Sequence, residues 1–485
     1  MLVPPLARPT PLTLDDIREL LRLGDAAVTE ALIAMSVHIA GLEQRLGKHS
    51  GNSGKPPSSD GLQRQRRRYI KRERSGRKPG GQVGHPGHTL PRRENPDTII
   101  PHAVKPLCDC GNSLTDVPAE YETRQIIDLP PPIVKVTEHQ AERKKCPRCG
   151  RIHRATFPAG VPPGVSYGQR VRTTALYLQH QQLVPARRTT NLMADLYGIQ
   201  LSEGALALFQ RRCAELVRPA ENVTRALLCQ AEQKHADETG AHCNGVLHWL
   251  HTLSHVALTL YGFDHSRGRD AMERMGVLPN CTGKVMHDHM RAYGTFTDSF
   301  VHVLCNAHHV RELRFIAEVC AEPWAALMAA LLNRAYGAVR RVTARGLAAF
   351  SLRQRQRYHA EYRLVLAKGV RFHRQLGPPA STGKRGRKTQ HPGKNLLDRL
   401  VNGEKETLAF VDDFTVPFTN NLAERDLRMT KVKMKISGGF RTQLGAENFF
   451  RIRGYLSTAQ KQHWNMFDAL SAAVRGEPFI PKLSP

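Results

Sequence analysis

Acidic side chains are scarce in this chain: 43 Asp and Glu stand against 71 Lys and Arg in 485 residues, a formal charge of +28. Such a balance suits a protein that holds a polyanion, because Lys and Arg neutralising phosphates supply the sequence-independent part of a nucleic-acid grip. Long hydrophobic runs are missing too. No stretch approaches the ~18 apolar residues of a membrane span, and the opening Met-Leu-Val-Pro-Pro-Leu lacks the basic-then-apolar pattern of a signal peptide. No Lys/Arg-faced helix with a bulky apolar face is evident, so a membrane surface gives way to nucleic acid as the partner. Cysteine amounts to ten residues, which do not make the dense disulfide framework of a small secreted domain. A reducing cytoplasm is expected, where clustered cysteines bind metal. What is present suffices for folding: 40% of residues are hydrophobic, and a chain of this length is expected to divide into roughly three domains.

Three acids stand out against the basic background: Asp237 in His-Ala-Asp-Glu-Thr, Asp288 in Val-Met-His-Asp-His and Glu424 in Asn-Asn-Leu-Ala-Glu-Arg-Asp. Carboxylates in such a protein oppose the prevailing field. They are most useful where they hold Mg²⁺ against a phosphate, since hard oxygen ligands suit that ion and two such ions clamp an in-line displacement. The plainer alternative is that they are ordinary surface acids.

Residues 13–47 read as a helix. Thr13 and Asp16 have the spacing of an N-terminal capping pair, and Val28, Leu32, Met35, Ile39, Leu42 and Leu46 step along one seam. Such a seam needs a partner helix, from the same chain or a second copy. A breaker-rich linker (49–61) follows, then residues 63–78 with nine Lys/Arg and one Glu. There Arg66, Arg67, Arg68, Lys71, Arg72, Arg77 and Lys78 suit a solvated arm that orders on phosphates. Cys108-x-Cys110 and Cys146-Pro-Arg-Cys149-Gly, separated by strand-like Pro-Ile-Val-Lys-Val-Thr (132–137), make a candidate four-sulfur zinc module. The first pair is one residue short of the usual spacing. His102 or His153 replacing a sulfur, or a module without metal, are the alternatives.

Residues 169–218 read as helical throughout. Within them Ala186–Leu196, a break at Gly198 and Ser202–Glu215 have the outline of a helix-turn-helix, with Arg187, Arg188, Arg211 and Arg212 placed for a DNA backbone. A helical hairpin without DNA is the alternative. After residue 230 come three strands (233–239, 246–253 and 256–263), a short helix at Ala271–Met275, strands at Lys284–His287 and Val301–Leu304, and a helix at Ala307–Val319. That is the element order of a ribonuclease-H-like fold, where a carboxylate of the first strand and one after the fourth lie side by side. Residues 323–409 read as largely helical around a basic loop (383–394), and Glu424 falls on a later helix. The expected fold class is thus multidomain α+β. Its parts are an N-terminal coiled-coil helix (1–48), a basic linker and DNA-binding arm (49–100), a zinc-ribbon-like module (101–160) and a helix-turn-helix-like domain (161–230). A ribonuclease-H-like catalytic domain (231–322 and 410–475) with a helical insertion (323–409) and a tail (476–485) complete it.

These blocks meet a family. Asn-Ser-Gly-Lys-Pro-Pro-Ser-Ser-Asp-Gly (52–61), the Gly-Arg-Lys-Pro-Gly-Gly-Gln-Val-Gly-His-Pro-Gly-His-Thr-Leu segment after it, and the paired cysteines occur in order. Val-Ser-Tyr-Gly-Gln-Arg-Val (165–171), His-Ala-Asp-Glu-Thr-Gly, Cys-Asn-Ala-His-His-Val-Arg-Glu-Leu (305–313), Asn-Asn-Leu-Ala-Glu-Arg-Asp-Leu-Arg (420–428) and Lys-Ile-Ser-Gly-Gly-Phe-Arg (435–441) follow. Over nearly its whole length the chain resembles the transposases of the IS66 family of bacterial insertion sequences. Leu107 departs from the pattern, which leads one to expect the first zinc-module cysteine there.

The resemblance implies a DDE transposase with Asp237, Asp288 and Glu424 as catalytic ligands of two Mg²⁺ ions, Mn²⁺ being a substitute. It implies structural Zn²⁺ on Cys108, Cys110, Cys146 and Cys149. The expected chemistry is cleavage at the element's ends by activated water, then attack of the freed 3′-hydroxyl on target DNA. Asp237 is expected to bridge the ions, with Asp288 on one and Glu424 on the other; Glu238, Asp412, Asp413 and Asp426 are neighbours that a shifted register would bring in. His235, His287 and His289 are expected to contact phosphate or pack. Arg425, Arg428, Lys431, Lys433 and Arg441 are expected on the DNA backbone. Cys305-x-x-His308 resembles the C(2)H element of some DDE transposases and is expected to be structural or to position DNA. The implied partners are double-stranded DNA (terminal inverted repeats and target), further copies of the chain, at least a dimer on paired ends, and accessory proteins of the element. The implied location is the bacterial cytoplasm, at the nucleoid. Two other readings are an end-binding protein or repressor that no longer cuts, and a ribonuclease-H-like nuclease with another substrate.

Overall fold

The computed structural model describes residues 90–377 apart from 298, residues 390–483, and scattered positions between 18 and 42. Thr13, Asp16 and Leu46, the linker, the basic arm from Arg66 to Lys78, and loop residues 383–389 lie outside the described residues. On the N-terminal seam, Leu32, Met35, Ile39 and Leu42 are helical and exposed. The chain forms two compact units: Leu62–Glu138, and Met1–Gly61 together with His139–Pro485.

In the smaller unit a bridge between Leu107 and Ser113 closes a turn around Cys108 and Cys110. The strand expected at 132–137 does not form, and Ile133 and Val136 are exposed. Strand propensity expresses the fit of a side chain to a pleated, half-buried surface, and this run has no ladder partner among the described residues.

From His139 the larger unit continues with an antiparallel hairpin, β1 (Arg143–Lys145) and β2 (Ile152–Arg154). Helices α1 (Gln169–Leu176), α2 (Ala186–Tyr197), α3 (Glu203–Leu216) and α4 (Arg218–Gln230) follow. The helical reading of 169–218 needs correction between α1 and α2. A wide π turn (Tyr177–Gln181) and Leu183 at φ 59° bend the chain there. A leucine tolerates that left-handed backbone because its buried side chain packs with Leu250, Phe449 and Phe450. The α2–α3 outline forms as expected: Gly198 ends α2 at φ 65°, and the Ser202 hydroxyl accepts the Ala205 N–H at 3.0 Å. Met193, Leu206 and Phe209 of this hairpin share one core with Ile452, Leu456 and Leu470.

The central sheet has the order β5-β4-β3-β6-β7, built from β3 (Gln233–Cys243), β4 (Val246–Ser254), β5 (Thr259–Asp264), β6 (Lys284–His287) and β7 (Val301–Leu304). The first three form an antiparallel meander. Its β3–β4 turn is Asn244-Gly245, both at positive φ, as a two-residue hairpin loop requires. β6 runs parallel to β3, and β7 parallel to β6. Helix α5 (Arg269–Met275) lies in the β5–β6 connection, and Gly283 leads into β6. At Gly283, φ is +69° and an added Cβ would lie 2.5 Å from the Glu232 carbonyl oxygen. Gly283→Ala is therefore expected to cost about 2–3 kcal/mol, read as a lower denaturation midpoint; an unchanged midpoint would mean that the loop relaxes freely.

Helices α6 (Asn306–Val319), α7 (Pro323–Thr343), α8 (Leu352–Leu376), α9 (Pro392–Asn402) and α10 (Glu404–Asp412) form a block around Trp324, Met328, Leu332, Tyr362 and Leu397. The chain then returns to the sheet with α11 (Asn421–Ser437), α12 (Gln443–Lys461) and α13 (Met466–Arg475). Leu427, Phe449 and Phe450 pack on one sheet face with Leu250 and Tyr261. The other face, bearing Ala236, Leu253, Leu260 and Val285, is closed by Met272, Tyr293 and Phe296. With thirteen α-helices from Gln169 onward and two sheets among the described residues, the fold is mixed α+β.

Candidate active site

Side chains alternate across a strand, and that alternation sorts the acids. In β3, Ala236 pairs with Leu253 and Glu238 with His251. Ala236 and Leu253 lie on the Tyr293 face, so Glu238 lies there too. Its carboxylate accepts from the Tyr293 hydroxyl at 2.9 Å and from Arg267 at 2.6 Å, while that guanidinium stacks on Trp249 at 4.6 Å. Asp237 belongs to the opposite face, against which α11 packs. Asp426 accepts from Ser254 at 2.6 Å, Thr259 at 3.1 Å and Lys461 at 2.7 Å, tying α11 to β4, β5 and α12. Asp413 pairs with Lys284 at 2.7 Å and Asp412 with His359 at 3.2 Å. The four acids that a shifted register would bring in thus all hold structural partners.

Asp237 has no such cation. One of its oxygens accepts the Glu238 backbone N–H at 2.9 Å. Burial, then the negative charges of Glu238, Asp288 and Glu424, push its carboxyl up to about 8, against the single lowering effect of that N–H. The charges of Asp288 and Glu424 thus both reach Asp237 through space. Asp288 directly follows β6, and its carboxylate accepts the Met290 N–H at 2.9 Å. Glu424 sits in the first turn of α11, its side chain 33% exposed.

Asn420 sets the position of Glu424. It occupies the N-cap of α11, yet its side chain does not cap the helix. The Asn420 amide donates to the Ala236 carbonyl at 2.8 Å, its oxygen meets His235 Nδ1 at 2.9 Å, and its backbone N–H reaches Cys305 Sγ at 3.1 Å. A fully buried residue thereby staples the turn that carries Glu424 to the strand that carries Asp237. The Asn-Asn pair before the helix marked a helix start in the sequence; this second use was not legible there.

The histidines pack. His235 is buried on Asn420, His287 stacks on Tyr293 at 4.5 Å and bonds His302 at 2.9 Å, and His289 faces His309 at 3.4 Å. Burial holds all three below the usual imidazole range, His287 down to about 3, so they are neutral at pH 7. Cys305 and His308 do not stand alone. Their ligand atoms and a Glu424 oxygen lie within 4.8 Å of one another, a spacing to which the three carboxylates do not themselves close. Arg311, overlooked in the sequence, stands 3.7 Å from the same Glu424 oxygen.

Among the basic candidates, Arg187, Arg188, Arg211, Arg212, Arg425, Arg428, Lys431 and Arg441 are exposed. Lys433 is half-buried, donates to Ser437 at 3.0 Å and lies 5.4 Å from the Phe449 ring centre, so its stem packs. The cysteine pairs each sit in a turn closed by a glycine at positive φ, Gly111 and Gly150. Backbone N–H groups of Cys110 and Cys149 lower the Cys108 and Cys146 thiols respectively, which favours thiolate.

The raised Asp237 carboxyl carries a stability consequence. Its ordinary value is 3.8 and its folded value about 8, so the native state holds a proton that the unfolded chain releases. Its contribution is full below about 4 and lost as pH rises through about 8. In EDTA, the melting temperature of the wild type relative to Asp237→Asn is expected to fall across that window; a constant difference would show that Asp237 is not strained by charge.

Comparison with known families agrees with this architecture. The model described as Transposase IS66 family matches residues 164–448, more than half of the chain. The zinc-finger binding domain of transposase IS66 matches 106–150, supporting structural zinc, and a family of unknown function matches 15–91. A search of curated proteins gives no match. No helix among the described residues is long and apolar enough to cross a membrane. With the match spanning both the sheet that bears Asp237 and Asp288 and the helix that bears Glu424, the chain belongs to the IS66 family of transposases.

Proposed function

We propose that this transposase cuts and joins DNA through Asp237, Asp288 and Glu424, acting with two Mg²⁺ ions, or Mn²⁺ in their place, on a ribonuclease-H-like core. What supports the reading is the placement of Asp237 on the α11 face of the central strand with only a backbone N–H as partner, where burial and the charges of Glu238, Asp288 and Glu424 push its carboxyl up. Asp237 is a hard oxygen donor with no cation of its own beside other carboxylates, which fits a divalent ion. The sheet order β5-β4-β3-β6-β7, with Asp237 on the central strand and Asp288 just past its parallel neighbour, supports the ribonuclease-H-like assignment.

Divalent ions at such a site supply Lewis acidity to the scissile phosphate and lower the pKa of an attacking water. The chain's own residues do the rest. Asp237, Asp288 and Glu424 would hold the ions between them, and Asn420 fixes the α11 turn that carries Glu424. Exposed Arg425, Arg428, Lys431 and Arg441 grip the DNA backbone beside the cut, while Arg187, Arg188 and Arg211 do so from the α2–α3 hairpin. His235, His287 and His289 are packed on protein partners, which suits metal-activated water. The structural zinc is assigned to Cys108, Cys110, Cys146 and Cys149, and two element ends are held by at least two copies of the chain. A duplex bearing the element's terminal inverted repeats tests this reading: it should be nicked at the repeat's 3′ end in Mg²⁺ or Mn²⁺. Tight binding without cleavage in either ion would make the chain an end-binding protein or repressor instead.

A further inference from the structure

Next to the proposed catalytic centre lies a ligand set of different chemistry. Cys305 Sγ, a His308 ring nitrogen and a Glu424 oxygen are mutually within 4.8 Å, and His308 Nε2 lies 3.9 Å from Glu424 Oε1. Tetrahedral zinc bonds of ~2.0–2.3 Å place ligand atoms roughly 3.3–3.7 Å apart, so the present spacing is at most about 1.5 Å wider than a closed centre. The backbone already supports such a centre. Cys305 and His308 stand three residues apart at the start of α6, and the Asn420 N–H points at the sulfur from 3.1 Å, as outer donors do at metal-bound thiolates. His308 Nδ1 is buried with no hydrogen-bond partner, a buried polar atom that the protein leaves unsatisfied. Arg311, a cation 3.7 Å from Glu424, has a side chain that is 30% exposed.

We propose that Cys305, His308 and Glu424 form a second metal site, selective for a thiophilic divalent ion such as Zn²⁺, which takes Glu424 away from Asp237 and Asp288. A sulfur–nitrogen–oxygen set disfavours Mg²⁺, whereas three protein ligands with an open fourth position suit zinc. Zinc at this site is therefore an inhibitor of strand cleavage. That second clause rests on the proposed catalytic role of Glu424; the binding itself does not.

Two measurements on the full chain keep these apart. In the first, Co²⁺ is titrated as the spectroscopic stand-in, and the sulfur-to-cobalt charge-transfer band is compared between wild type and Cys305→Ser. The paired cysteines of the zinc module contribute to both, so the difference reports Cys305. Bound cobalt should fall by one equivalent, and His308→Gln should weaken that equivalent by more than about 100-fold, beyond the loss of a merely outer partner. Identical titrations in both variants, with native circular dichroism, would overturn the proposal. In the second, Mg²⁺-dependent cleavage of terminal-repeat DNA is measured with and without added Zn²⁺, and only the ratio within each variant is read. Zinc should inhibit wild type at least tenfold more than His308→Gln; equal inhibition would refute the regulatory part. No cleavage by any variant, with the cobalt difference intact, would defeat the catalytic reading and leave the site standing.

Discussion

Asp237→Asn is expected to lower Mg²⁺-dependent cleavage of terminal-repeat DNA by about 10³-fold or more, because it removes the ligand proposed to bridge both ions. Binding of the same DNA should change by less than about threefold, since phosphate affinity comes from Lys and Arg. The substitution should also stabilise the metal-free protein near pH 8. In the wild type, burial and the charges of Glu238, Asp288 and Glu424 oppose ionisation of Asp237, and an amide lifts that cost. Activity lost while stability rises is hard to obtain from misfolding. Cleavage within tenfold of wild type would remove Asp237 from the chemistry.

Asn420→Ala should be the most damaging change outside the carboxylates. Asn420 is fully buried, and its side chain holds the Ala236 carbonyl and His235. Truncation leaves both partners unsatisfied, a loss of about 2–4 kcal/mol. The larger effect should fall on function, because a displacement of about 1 Å at a catalytic ligand costs about 10²-fold in rate. Thermal melting and cleavage measured together decide the matter. A variant that melts lower yet cleaves at the wild-type rate would show that Glu424 does not depend on this staple.

Many strands and helices of the larger unit were legible because their signals are local. Lys284–His287 and Val301–Leu304 form strands with the expected bounds, and Ser202 and Gly198 delimit α3 and α2 by capping chemistry. The break at Leu183 was illegible, since only burial against Leu250 and Phe449 stabilises its backbone. The 132–137 run misled for the opposite reason: a strand's existence depends on a neighbour that the local sequence does not encode. At the site, the three carboxylates could be picked by motif, but the sorting of Asp237 from Glu238 required the strand register. Asn420 and Arg311 became visible only when distant segments met. The same holds for Glu424 as the third member of the Cys305–His308 group.

The central claim is that Asp237, Asp288 and Glu424 jointly hold divalent ions, and Mn²⁺ binding measured by electron paramagnetic resonance tests it most directly. On the protein bound to terminal-repeat DNA, wild type should take up about two Mn²⁺ beyond the DNA's own share. Asp237→Asn should lose both, while Asp426→Asn, altering an acid already held by Lys461, should keep both. Equal Mn²⁺ uptake by wild type and Asp237→Asn would contradict the account.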